Sequence, residues 1–161
     1  MQTLRRALLG GRIHPSTPQL RPPWAIAEES FEQRCTRCGD CLSVCPTRIL
    51  RPGAGGFPVV EFGLGECSFC GECVAACAPG ALQRIPGESP WQMVALIGDD
   101  CIARRGVECR VCGECCDARA IGFRPRIGGV ALPELDVMAC TACGACISTC
   151  PTQAISMETS Q

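Results

Sequence analysis

The sequence contains no lysine and no tyrosine, a single histidine (His14), and only five phenylalanines and two tryptophans in 161 residues. All fifteen basic residues are therefore arginine, set against sixteen acidic ones for a formal charge of −1. Codon composition is the simplest account of that bias. Balanced charge and so few aromatics give little support to nucleic-acid binding, which needs a basic face and stacking platforms. No apolar run of 18 or more residues occurs, so no membrane span is expected. A secretory signal with a continuous apolar core is also lacking. Leu4-Arg5-Arg6-Ala7-Leu8-Leu9 begins like a twin-arginine export signal. Gly10, Gly11, Arg12, His14 and Pro15 then stand where its apolar region should follow, and export is not expected.

Cysteine, by contrast, is abundant: there are 17. In a short secreted chain that density would indicate a disulfide scaffold. The odd count, the missing signal and the crowding of near neighbours argue against orderly bridges. Reduced thiolates acting as metal ligands fit better and point to the cytosol.

The spacing names the ligand chemistry. Cys35, Cys38, Cys41 and Cys45, followed by Pro46, read Cys-x2-Cys-x2-Cys-x3-Cys-Pro, the bacterial ferredoxin run that holds a 4Fe–4S cluster. Three cysteines at i, i+3 and i+6 let a tight loop wrap three corners of one cubane, while the fourth ligates a second cluster. Such motifs should come in pairs. Cys67, Cys70, Cys73 and Cys77 repeat the spacing, and Cys140, Cys143, Cys146 and Cys150 repeat it again. Cys-x2-Cys pairs also occur in structural zinc sites, but a run of this form repeated three times matches those poorly. His14 lies outside the cysteine runs and is expected to be solvated.

A third motif, between these, is irregular: Cys101-x7-Cys109-x2-Cys112-x2-Cys115-Cys116. Two ligand choices compete. Cys109, Cys112 and Cys115 make a regular triple, but position 119, where the fourth cysteine should stand, is Arg119. Alternatively Cys101, Cys109 and Cys112 are the triple and Cys116 is the outward fourth. The second choice keeps the offset to the apolar pair that follows each fourth cysteine: Cys45 to Ile49-Leu50, Cys77 to Ala81-Leu82, Cys116 to Ala120-Ile121 and Cys150 to Ala154-Ile155. It leaves only Cys115 unused. A half carrying no cluster, with its cysteines buried as small hydrophobes, is the remaining alternative. Crossed ligation on the second choice gives four sites. Site one takes Cys35, Cys38, Cys41 and Cys77; site two takes Cys67, Cys70, Cys73 and Cys45. Site three takes Cys101, Cys109, Cys112 and Cys150; site four takes Cys140, Cys143, Cys146 and Cys116.

The chain divides accordingly into a basic, proline-rich arm over 1–28, a first module over 29–88 and a second over 89–161. Arg5, Arg6, Arg12 and Arg21 face only Glu28 in the arm, and Pro15, Pro18, Pro22 and Pro23 forbid regular structure over much of it. Trp24 either packs on the first module or anchors a partner. Gly53, Gly55 and Gly56 predict a turn and Phe57–Phe62 a strand; Gly128-Gly129 predicts a hairpin turn before Val130-Ala131-Leu132. Trp91–Ile97 is a strand or a helix by periodicity. Pro46 and Pro79 predict short helices starting after the fourth cysteines. The expected fold is α+β: two tandem bacterial-type 2[4Fe–4S] ferredoxin modules of short hairpins and short helices, behind an extended N-terminal arm. Modules of this size gain roughly 3–5 kcal/mol from an apolar core, so folding and cluster loading should be coupled.

With those residues in view, the chain resembles the NapF family of ferredoxin-type accessory proteins of periplasmic nitrate reductase systems. The likeness runs through Arg5-Arg6, Arg21-Pro22-Pro23-Trp24, Gly55-Gly56-Phe57-Pro58, Glu66-Cys67-Ser68-Phe69-Cys70, Ile97-Gly98-Asp99 with Cys101, and Phe123-Arg124-Pro125. It covers nearly the whole length, and these linker segments rather than the cysteine runs make it specific. The resemblance implies a monomeric cytoplasmic protein, without nucleic acid or membrane span. Its implied partner is the precursor of the nitrate reductase catalytic subunit, which it binds and helps mature before export. The alternative class is a general electron carrier. Neither is an enzyme, since no nucleotide loop, nucleophile–base pair or substrate pocket is visible.

Overall fold

The structure is a computed structural model, and it describes residues 19–159. The arm's Arg5, Arg6, Arg12, His14, Pro15 and Pro18 lie outside the described residues. The first helix, α1 (Glu28–Arg34), has Glu28 and Glu29 in its first turn and Arg34 in its last, the arrangement that complements a helix dipole. It buries Phe31 completely.

Four further helices are single turns: α2 (Asp40–Ser43), α3 (Glu72–Ala75), α4 (Val111–Glu114) and α5 (Ala145–Ser148). Each ends just before the fourth cysteine of its motif. The expectation of helices starting at Pro46 and Pro79 is therefore corrected: Pro46 and Pro79 fall in turns after a helix has ended. A proline cannot donate the N–H that would continue the preceding turn, so it acts here as a stop.

Three two-stranded antiparallel sheets complete the fold. Strand β1 (Leu50–Pro52) pairs with β2 (Pro58–Val60), joined through Gly53 and a 3₁₀ turn over Ala54–Gly56. The strand expected over Phe57–Phe62 is thus shorter, and Phe62 opens a 3₁₀ turn (Phe62–Leu64). Strand β3 (Met93–Ile97) resolves the Trp91–Ile97 ambiguity in favour of a strand. It pairs with β6 (Ile155–Thr159), closing the second half of the chain end to end. Strands β4 (Ile121–Arg126) and β5 (Gly129–Leu135) form the predicted hairpin, with an irregular register between Arg124 and Arg126 where Pro125 has no N–H to give the ladder.

The first half closes with the same plan in reduced form. Ala25 bridges Leu82, flanked by N–H donation from Gln83 to Trp24 at 2.8 Å and from Ile26 to Ala81 at 3.2 Å. Trp24 is 6% exposed. Its ring meets Phe69 edge-on, the Arg84 guanidinium lies over that ring, and the Trp24 backbone N–H donates to the Pro90 carbonyl. Of the two readings of Trp24, packing on the first module is the one observed, so it is not free to anchor a partner. Trp91 Nε1 donates to the Arg21 carbonyl at 3.1 Å and holds the incoming segment down.

All four apolar pairs are buried, Ile49-Leu50, Ala81-Leu82, Ala120-Ile121 and Ala154-Ile155. Ile49, Leu50, Ala81 and Leu82 sit in one small core and Ile121 and Ile155 in another, and each core includes cysteine side chains: Cys73 in the first, Cys112 and Cys146 in the second. Ile147 and Met157 pack against both cores, so the halves share an interior. Among the described residues, no helix is long and apolar enough to cross a membrane.

Candidate metal centres

Four cavities open beside the one-turn helices, and each is lined by four cysteines. Cys35, Cys38, Cys41 and Cys77 line one of about 550 Å³; Cys45, Cys67, Cys70 and Cys73 line one of about 330 Å³. Cys101, Cys109, Cys112 and Cys150 line a third of about 350 Å³, and Cys116, Cys140, Cys143 and Cys146 a fourth of about 330 Å³. These are the crossed sets expected for sites one to four, so all sixteen predicted site residues are brought together in those groupings. The crossing is built by α2 packing on α3 and α4 packing on α5. Each helix carries its third cysteine toward one cavity and delivers the fourth, two residues past its end, to the neighbour's.

Cys115 lines none of the four. Its Sγ lies 3.4 Å from the Cys112 carbonyl and 3.2 Å from Thr149 Oγ1. The local backbone explains why Cys116 rather than Cys115 matches the fourth cysteines elsewhere. Three residues after Cys45, Cys77, Cys116 and Cys150 stand Arg48, Gly80, Arg119 and Gln153, all with positive φ, between 51° and 70°. For non-glycine residues that conformation costs roughly 1–2 kcal/mol. Its consequence is visible at the next residue. The N–H of Ala120 reaches Cys116 Sγ, and that of Ala154 reaches Cys150 Sγ, each at 3.3 Å. Strain is thus spent aiming a donor at a sulfur, as is common around ligand clamps.

Electrostatics separates two kinds of cysteine. Burial pushes the Cys41 thiol up to about 11, with Cys35, Cys77 and Cys38 adding to it. Burial likewise raises Cys112 to about 11, helped by Cys101, Cys109 and Cys115, and raises Cys73 to about 12 beside Cys67 and Cys70 and Cys146 to about 12 beside Cys143, Cys115 and Cys140. Cys67 is raised to about 11 by burial, and among its neighbours is Cys143 of the fourth cavity. Two fourth-position cysteines behave oppositely. For Cys45 and Cys150 burial also acts upward, but hydrogen bonds outweigh it: Thr47 and the backbone of 48–50 at Cys45, and the backbone of 152–154 with Thr152 at Cys150. Both thiols are lowered.

The donor set fits an iron–sulfur cluster. Each cavity offers four soft sulfur ligands and apolar walls, the combination suited to such clusters. The sulfurs surround this space: among the described residues, no three Cys, His, Asp or Glu side chains converge as they would on one ion. Thiols raised to 11–12 keep their protons at neutral pH until a metal displaces them, so loading releases protons.

Comparison with known proteins agrees. Residues 34–81 match a family described as a 4Fe-4S dicluster domain, and residues 133–156 one described as a 4Fe-4S binding domain. Two small 4Fe–4S ferredoxin-type units of mixed helix and strand thus make up the body, and the protein is of the iron–sulfur, multi-cluster class. The chain is 43% identical over 154 residues to the ferredoxin-type protein NapF of Escherichia coli K12, covering 96% of this chain and 93% of that one. It is 48% identical over 140 residues to NapF of Haemophilus influenzae, covering 86% and 78%. A shorter match, 48% over 33 residues, links 20% of the chain to 14% of the ferredoxin-type protein NapG of Escherichia coli K12. The chain belongs to the NapF family of ferredoxin-type proteins.

Proposed function

We propose that this protein is a cytoplasmic iron–sulfur accessory factor, not itself an enzyme. In this reading it binds the catalytic subunit of periplasmic nitrate reductase before export and helps mature it. It does so with four 4Fe–4S clusters held by the sixteen cysteines in the crossed sets above. Bound clusters supply one-electron chemistry. The protein's own residues hold and insulate them: the cysteines ligate, the hydrogen-bond donors at Cys45 and Cys150 favour thiolate, and the apolar pairs exclude water. The observation that carries the cluster part is the grouping of all sixteen cysteines, Cys116 included, into four equivalent sets. The partner part rests on family membership and on the linker segments that carry the resemblance.

The basic residues of 1–18 are proposed to steer an acidic client surface toward the cluster-bearing body. The test is anaerobic calorimetric titration of the loaded full-length protein with the unexported catalytic subunit, beside a variant lacking residues 1–18. The expected outcome is a specific complex that weakens several-fold on truncation while iron content is unchanged. Absence of any complex, together with fast electron exchange with several unrelated redox proteins, would favour the general-carrier reading instead.

A further inference from the structure

The two halves of the chain meet at a joint that links one cysteine site directly to another. The backbone N–H of Cys67 donates to the carbonyl of Cys143 at 2.8 Å. Cys67 lines site two and Cys143 lines site four. Beside this bond Phe62 lies against Gly144, so close that a Cβ built on Gly144 would fall 2.0 Å from a Phe62 ring carbon. Gly144 also has φ +88°, so both the contact and the backbone require glycine there. Trp91 meets Phe62 edge-on, with ring centroids 5.6 Å apart.

Within each half, the crossing of fourth cysteines already ties two sites together. Cys41 on α2 and Cys45 just past its end belong to sites one and two; Cys146 on α5 and Cys150 just past its end belong to sites four and three. We infer that the four sites form one unbranched series in the order one–two–four–three, joined at Cys67 and Cys143, and that single electrons cross the whole protein along it. Sites two and four are then interior positions, and sites one and three are the two ends. The spatial order differs from the order of the motifs along the chain. A one-electron donor meeting one end loses an electron and a one-electron acceptor meeting the other gains it. No bond is made or broken and no proton moves. This gives an accessory factor two separate redox faces, one for a donor and one for a client.

The inference rests on the proposed four-cluster ligation, and the two fail differently. An iron count well below about sixteen per chain would fail the ligation, whereas the order is read from line shape at full loading. The test is cryogenic electron paramagnetic resonance of the full-length protein, reduced with excess titanium(III) citrate. In the parent protein all signals should be broadened by neighbouring spins. The double variant Cys140→Ser/Cys146→Ser, which removes site four, should leave site three with a narrow, isolated signal beside a broadened pair. The double variant Cys101→Ser/Cys109→Ser, which removes site three, should leave three mutually broadened signals. A narrow signal in the second variant, or none in the first, would overturn the order. Should a cysteine variant fail to load its remaining sites, Phe62→Glu decides the joint. It is expected to keep its iron and to lose part of the broadening. An unchanged line shape at full iron would contradict the inference.

Discussion

The N–H of Ala120 points at Cys116 Sγ from 3.3 Å, repeating the 3.3 Å contact from Ala154 to Cys150. Cys115, one residue earlier, faces the Cys112 carbonyl and Thr149 instead. Cys116→Ser should therefore lose one cluster, about four of about sixteen iron atoms, while Cys115→Ser keeps them all. Iron and sulfide analysis with visible spectra checks this. Reversed phenotypes would make Cys115 the ligand.

Trp24 is buried among Phe69, Arg84 and the Pro90 backbone, so its truncation should act on stability rather than on recognition. Trp24→Ala is expected to cost about 3–5 kcal/mol. Loss of visible absorbance in anaerobic urea titrations measures it. An unchanged midpoint combined with weaker client binding would restore the anchor role.

The Arg21 guanidinium lies over two neighbouring aromatic rings, 4.9 Å from the Phe31 centroid and 5.1 Å from that of Phe57, while its Nε donates to Glu28 at 3.0 Å. Replacing it by methionine removes the cation but keeps much of the packing. A loss of about 1–2 kcal/mol is expected, measured by anaerobic urea titration; no change would mean the rings alone hold the segment.

The same contact makes a pH prediction. The hydrogen bond from Arg21 holds the Glu28 carboxyl below its ordinary value. A lowered folded value means stability that is present above the unfolded value of 4.5 and is lost as pH falls through the folded one. Amide protection over residues 20–34, taken relative to the intrinsic exchange rate at each pH, should fall on acidification through that window in the parent protein. Glu28→Gln should already exchange faster at pH 7 and show no further acid step. Identical pH profiles would remove the pair from the account.

Much of this was legible in the cysteine spacing, because a cubane dictates where its ligands must stand. The constant offset from fourth cysteine to apolar pair was enough to group Cys116 with site four and leave Cys115 aside. Less legible were features set by tertiary contact. Helix α1 carries no periodic signal beyond Phe31, although Glu28, Glu29 and Arg34 mark its ends. The one-turn helices lie before the fourth cysteines rather than after, since αL residues at Gly39, Gly71 and Gly144 start α2, α3 and α5 and proline (Pro46, Pro79, Pro151) only closes three of the motifs with a turn. The joint between Phe62 and Gly144 has no sequence signature: neither residue stands out until the two halves are placed together.

The most direct test of the account is the iron and acid-labile sulfide content of the full-length protein purified without oxygen. Four cysteine sets predict about sixteen of each per chain and a brown protein whose loading releases protons as ligand thiols ionise. About twelve of each, with Cys101, Cys109 and Cys112 open to alkylation in the loaded protein, would contradict the third site. A colourless, zinc-loaded chain without sulfide would contradict the whole.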